Sequence, residues 1–171
     1  MKMAVIGCGL IGGSMALSWK RAGIVDEVIA FGHNPATLQK ALDKGAADAV
    51  TTSMEEAVKD ADIVVSAVPV EAMESVFTEM APFLKPDAVV TDVGSTRQTV
   101  IAAARKGLGD KFHQYAPAHP IAGGECRAWT MPQQIFLMKK SSSPHRTKVW
   151  IRKSSSLWKT RGVRQGRVCR P

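Results

Sequence analysis

Three short stretches hold the residues whose types and spacing could do chemistry. Gly7-Cys8-Gly9-Leu10-Ile11-Gly12 fits GxGxxG, a spacing that gains its meaning where a strand runs into a helix. In that setting Gly7 allows the tight turn, Gly9 lets a pyrophosphate approach the backbone, and Gly12 lets strand and helix pack closely. The helix N-terminus offers unpaired N–H groups and the positive end of its dipole to phosphate. Leu10 and Ile11 complete this candidate cofactor loop. Thr91-Asp92-Val93-Gly94-Ser95-Thr96-Arg97 puts a polar cluster after an apolar run, and its Ser95 suits a site hydroxyl, a helix cap, or both. Ala118-His119-Pro120-Ile121-Ala122-Gly123-Gly124-Glu125 sets an imidazole and a carboxylate on a glycine-flexible loop. An imidazole titrates near neutral pH and so suits proton transfer; the spacing alone leaves His119 open to being a loop histidine with a backbone partner.

The elements that must position these groups follow from hydrophobic periodicity. Strands are predicted at Lys2–Ile6, Glu27–Phe31, Asp48–Thr51, Ile63–Val68, Ala88–Asp92 and Phe112–Ala116. Helices are predicted at Ile11–Arg21, Pro35–Lys44, Met54–Lys59, Glu71–Met80 and Thr96–Lys106. Strands apolar on both faces, alternating with amphipathic helices, mean a parallel sheet covered on both sides. The fold class is α/β, a doubly wound parallel sheet of the Rossmann type. All three chemical stretches then fall at the C-terminal ends of strands, where open sheets bind ligands. Val68 and Pro69, closing the fourth strand, are assigned to the cofactor on the same ground.

The end of the second strand reads Gly32-His33-Asn34-Pro35, with no carboxylate to hold a ribose 2′-hydroxyl. Nothing there repels a 2′-phosphate, and His33 or Asn34 could bond one, so the cofactor is NAD or NADP without a choice between them. Asn34-Pro35 serves equally as a plain helix start. Asp26 lies before the strand and reads as a turn residue.

The formal net charge of +8 invites a nucleic-acid or acidic-lipid partner until its location is read. Residues 1–125 hold 11 of the 23 Lys+Arg and all 15 Asp+Glu, so residues 126–171 carry twelve basic residues and no acid. The three cysteines, Cys8, Cys126 and Cys169, are widely spaced without a CxxC pair, which predicts free thiols and no metal site. No apolar run reaches the roughly 18 residues of a membrane span, and the N-terminus leads straight into a strand; a soluble, cytoplasmic protein is expected.

The glycine loop with Gly13-Ser14, the Asp92-Val93-Gly94-Ser95 element and above all His119-Pro120-Ile121-Ala122-Gly123-Gly124-Glu125 resemble the prephenate dehydrogenase family, in order and near its spacings, over residues 1–125. The resemblance implies oxidative decarboxylation of prephenate, or of arogenate, with hydride transfer to NAD(P). It makes His119 the catalytic imidazole that takes or holds the ring-hydroxyl proton. Ser95 then orients the hydroxyl or the imidazole, and Glu125 stands at the substrate entrance. A small-molecule substrate is implied, with no nucleic-acid or membrane partner. The family is homodimeric through a C-terminal helical domain that also supplies arginines to the substrate carboxylates, and no such domain is recognisable here.

Residues 126–171 show two Ser-Ser-Ser runs, three of the four tryptophans and neither helical nor strand periodicity. Back-translated and read from one nucleotide earlier, Trp129-Thr130 yields Asp, Met131-Pro132 yields Ala and Met138-Lys139 yields Glu. One base lost after the Glu125 codon accounts for the vanished acids. The expectation is a dinucleotide-binding domain at 1–125, incomplete at its C-terminal end, followed by an out-of-frame, poorly ordered basic tail at 126–171, with activity impaired. Two alternatives are another small-substrate NAD(P) dehydrogenase of this fold and a non-catalytic dinucleotide-binding module with a polyanion-binding tail.

Overall fold

The computed structural model describes residues 1–117 and, beyond them, the backbone of three strands at 137–140, 147–151 and 159–161. The chain divides into two units, Met1–Glu125 and Cys126–Pro171. In the first, strands and helices alternate: β1 (Lys2–Ile6), α1 (Leu10–Arg21), β2 (Glu27–Phe31), α2 (Pro35–Asp43), β3 (Ala49–Thr51), α3 (Met54–Val58), β4 (Ile63–Ser66), α4 (Met73–Met80), β5 (Val89–Asp92) and α5 (Arg97–Leu108). The five strands are all parallel, in the order β3-β2-β1-β4-β5. The chain leaves β1 on one side and returns to β4 on the other, so the crevice beyond the ends of β1 and β4 is the switch point of the sheet. The expected doubly wound sheet is present.

The sequence makes these elements for identifiable reasons. Met3–Ile6 and Ile63–Ser66 are buried throughout, as central strands covered on both faces must be. Met73, Phe77 and Met80 recur at helical spacing on α4 and are wholly buried. They join Ile6, Val64, Val90 and Val100 in one apolar cluster. Asn34 starts α2, its side-chain oxygen accepting from the N–H groups of Ala36 and Thr37 at 2.9 and 3.3 Å, with Pro35 in the first turn. Ser53 caps α3 through Glu56 N–H at 3.4 Å. Asp26, before β2, accepts from the N-terminal amine, and its own N–H donates to Met1 O at 2.9 Å.

Two expectations are corrected by these elements. The fourth strand stops at Ser66, not Val68, because its partner β1 gives way to the glycine turn at Gly7; Ala67 N–H still donates to Ile6 O at 2.7 Å, and then a 3-10 turn, Val70–Ala72, leads into α4. The strand expected at Phe112–Ala116 is largely a 3-10 helix, Gly109–Gln114, leaving one parallel bridge between Val90 and Tyr115. Phe112 and Tyr115 lie three apart and so share a face of a three-residue turn, which reads as a strand only if period is judged from apolar content. Lys111 Nζ donating to the carbonyls of Ala81 and Leu84, at 2.6 and 2.9 Å, holds that turn. So do the bonds from Gln114 Nε2 to the carbonyls of Lys85 and Pro86, at 2.7 and 2.8 Å.

In the second unit, where periodicity predicts no element, three short antiparallel strands occur, β6 (Leu137–Lys140), β7 (Thr147–Ile151) and β8 (Lys159–Arg161), in the order β6-β7-β8. Val149-Trp150-Ile151 is the β-branched and aromatic run that favours a pleated strand. No helix among the described residues is long and apolar enough to cross a membrane. Cys8 is a buried free thiol, raised in pKa by that burial; Cys126 and Cys169 lie outside the described residues.

Candidate functional site

β1 delivers the glycine loop to the switch point. Gly7 has φ of 86°, donates its N–H to Phe31 O at 3.0 Å, and a Cβ there would stand 2.8 Å from Ala67 O and 3.0 Å from Val68 Cγ1. A Cβ on Gly12 would stand 2.6 Å from Gly7 O and 3.0 Å from Val5 Cγ1. Two of the three glycines are therefore demanded by backbone meeting backbone. Gly9 differs: it precedes α1 as its cap, and a Cβ there would meet nothing within 4 Å. The first turn of α1 holds no acid and no side-chain cap. Leu10 is 87% exposed and Ile11 57%. This is an open, uncapped helix start with an apolar rim, and it fits a dinucleotide phosphate in shape and in sign.

Around that loop lie the other assigned residues. Val68 is half-buried against Gly7 and Pro69 is exposed beside it, both just past β4. Gly32 N–H reaches Thr51 O at 3.4 Å, and His33, exposed, meets the Phe31 ring edge-on at 5.2 Å. Asn34 is occupied as the α2 cap, so the plain helix start accounts for its side-chain oxygen. The stretch Gly32–Asn34 presents no carboxylate.

At the end of β5, Asp92 is 3% exposed; its Oδ1 accepts from Gly94 N–H at 2.8 Å and its Oδ2 from the Tyr115 hydroxyl at 2.5 Å. Burial and then the Asp92 carboxylate push the Tyr115 phenol far above its usual range. Ser95 is exposed and is not the cap of α5: that position is Thr96, without a side-chain bond. The cap role open to Ser95 in the sequence is therefore corrected. Sequence reasoning passed over the Asp92–Tyr115 pair, although an acid closing the apolar run Val89-Val90-Thr91 and the only tyrosine of the chain were both visible. Arg97, exposed in the first turn of α5 next to Ser95, adds a positive charge there. His119 and Glu125 lie outside the described residues.

Compared with known proteins, residues 15–164 match the family model for the prephenate dehydrogenase nucleotide-binding domain. The chain belongs to this family. It is 37% identical over 123 residues to cyclohexadienyl dehydrogenase of Zymomonas mobilis, covering 72% of this chain and 41% of that protein. It is 35% identical over 118 residues to prephenate dehydrogenase of Bacillus subtilis, covering 68% and 32%. Among solved structures, prephenate dehydrogenase from A. aeolicus in complex with hydroxyphenyl propionate and NAD+ superposes with a TM-score of 0.65 at 31% identity, covering 74% of this chain and 43% of that one. Synechocystis arogenate dehydrogenase gives 0.63 at 27%, covering 74% and 43%. The chain thus spans about two-fifths or less of the curated relatives' length.

For a prephenate dehydrogenase nucleotide-binding domain, the geometry separates two jobs. The crevice between β1 and β4 presents the start of α1 without a side-chain cap, while the end of β5 presents the hydroxyl of Ser95 and the charge of Arg97. Among the described residues no group of three His, Cys, Asp or Glu side chains comes together to hold a metal ion.

Proposed function

We propose that this chain binds NAD or NADP at the glycine loop and forms the cofactor part of an enzyme oxidising prephenate or arogenate. The observation that carries the reading is the uncapped start of α1, where Gly7 and Gly12 are fixed by close backbone packing and Gly9 stands in open space, in a member of this family. The N–H groups of Leu10, Ile11 and Gly12 would hold the pyrophosphate, with Gly9 leaving room for its approach, Val68 and Pro69 along the crevice and Gly32, His33 and Asn34 near the ribose. When bound, the nicotinamide supplies the hydride acceptor. Neutral His119 accepts the ring-hydroxyl proton as the carbonyl forms, Ser95 orients that hydroxyl, and Glu125 stands at the substrate entrance. Loss of the ring carboxylate as carbon dioxide makes the ring aromatic.

A cytoplasmic location and no nucleic-acid or membrane partner belong to the same proposal. So does the division at residue 125. Residues 126–171, with twelve basic and no acidic residues, are proposed to be an out-of-frame reading, so that this chain alone binds nucleotide and turns over little substrate. The decisive experiment is titration of the 171-residue protein with NADH and NADPH, followed by fluorescence. Saturable binding is expected, unchanged in His119→Asn and weakened at least tenfold in Gly12→Val. Absence of saturable binding of either nucleotide overturns the cofactor reading. Rapid turnover of prephenate by the 171-residue chain overturns the proposal of impairment, and full turnover by His119→Asn overturns its catalytic role.

A further inference from the structure

Asp92 lies three residues before Ser95, and Tyr115 four before His119. The fully extended chain reaches at most about 3.6 Å per residue, so three residues of chain span no more than roughly 11 Å and four no more than roughly 14 Å. The two anchors meet: the Tyr115 hydroxyl donates to Asp92 Oδ2 at 2.5 Å, and Oδ1 of the same carboxylate accepts from Gly94 N–H at 2.8 Å. The backbone around Tyr115 is pinned to β5 as well, by the bridge to Val90 and by Ala116 N–H donating to Val90 O at 2.8 Å. Both side chains are nearly wholly buried, Asp92 at 3% and Tyr115 at 5% exposure, with the Tyr115 ring edge-on to Phe77 at 5.7 Å.

A carboxylate in such a place is costly to desolvate, and a pair of apolar side chains would fill the volume without that cost. What apolar side chains cannot do is fix direction. A short hydrogen bond to a charged acceptor fixes distance and angle together, and here it joins the loop after β5 to the segment leading to the His119 motif. Burial and the carboxylate keep the phenol protonated across the working range, so the donor persists.

We propose that Asp92 and Tyr115 are positioning residues, a phenol–carboxylate clasp that holds the Ser95 loop and the chain entering the His119 loop in one fixed relation. The proposal rests on the reading that Ser95 and His119 serve the reaction, and it adds the device that registers them against each other.

The test uses the full 171-residue chain and needs no turnover. Tyr115 is the only tyrosine, so its ionisation is read directly in the ultraviolet; Asp92→Asn, removing the charge, is expected to bring it to lower pH. Amide hydrogen exchange and the imidazole NMR signal of His119, assigned by its loss in His119→Asn, report position. In Tyr115→Phe, exchange at Ser95 and Thr96 is expected to rise at least tenfold and the His119 signal to shift, while NADH affinity stays within twofold. Asp92→Asn, which keeps a hydrogen-bonding amide in place, is expected to show a smaller change of the same kind. Unchanged Ser95, Thr96 and His119 signals in Tyr115→Phe overturn the proposal. A loss of protection spread evenly over β4, β5 and α5 also overturns it, by assigning the pair to core packing alone. A clasp that passes these tests in a protein whose His119 proves idle in turnover would overturn the catalytic reading instead, so the two failures are distinguishable.

Discussion

Lys85 Nζ stands 2.5 Å from Asp62 Oδ1, and Oδ2 of the same carboxylate accepts from Lys2 N–H at 2.7 Å. One aspartate thus ties together the chain entering β1, β4 and β5, at the end of the sheet away from the glycine loop. The hydrogen bond from Lys85 and then that from Lys2 hold the Asp62 carboxyl below its ordinary pKa. A folded-state pKa below the unfolded one contributes stability that is present above the unfolded value, about 4, and is lost as pH falls through the folded value. Asp62→Asn is therefore expected to flatten the acid limb of melting temperature against pH below about 4. The effect is modest because both partners are partly exposed and screened by water and salt. An acid limb identical in wild type and variant would assign the acid sensitivity to other groups. NADH affinity at neutral pH is expected to be unchanged, since the pair lies at the opposite end of the strands.

Gly12 is closed to any side chain by backbone. Gly12→Val must push apart Gly7 O and the start of α1, so it is expected to cost about 1–3 kcal/mol of stability by overpacking and to lose nucleotide binding by at least tenfold. Chemical denaturation and NADH titration on the same preparation read both. A variant with full affinity would show that phosphate does not lie against this turn.

Gly32 decides the cofactor if the ribose lies where the second strand ends. A Cβ there would meet the Leu38 side chain, Cδ2 at 3.4 Å and Cγ at 3.9 Å, so an aspartate can be tested with little disturbance of the fold. Gly32→Asp is expected to weaken NADPH binding at least tenfold by repelling the 2′-phosphate and to leave NADH binding equal or tighter. Equal loss for both nucleotides would move the ribose elsewhere.

Phe77 is wholly buried between α4 and the sheet and meets Tyr115. Phe77→Ala is expected to destabilise the domain by about 3–5 kcal/mol, read by denaturant midpoint. A loss below about 1 kcal/mol would mean that the neighbouring methionines, Met73 and Met80, collapse into the space.

The tail is tested in the gene. If the neighbouring reading frame after codon 125 stays open and regains acids, residues 126–171 are an out-of-frame product; early stop codons in that frame overturn the idea. In the second case salt-sensitive binding to DNA becomes the measurement of interest, since twelve unopposed basic residues suit a polyanion.

What was legible in the sequence was whatever repeats locally. The strands β1, β2, β4 and β5 announced themselves by their apolar runs, and Gly7, Gly9 and Gly12 by their spacing between a strand and a helix. What was not legible depended on partners distant in the chain. Phe112–Ala116 looked like a sixth strand because nothing local reveals that Lys111 bonds carbonyls near residue 82 or that Gln114 bonds those of Lys85 and Pro86. Ser95 looked like a helix cap because Ser, Thr and Arg in succession leave the helix start ambiguous by one or two residues. Asp92 has no legible role within its motif, since its partner Tyr115 is 23 residues away.

Gly9 has a consequence for how this loop tolerates change over generations. Its two neighbours in the motif are policed by folding: substitute Gly7 or Gly12 and the polypeptide suffers before any ligand arrives. Gly9 faces open space, so an alanine there leaves the empty protein as sound as before. Only the cell's need for the reaction can remove such a variant. A gene released from that need would be expected to drift first at codon 9, while codons 7 and 12 are still guarded for as long as the chain must fold.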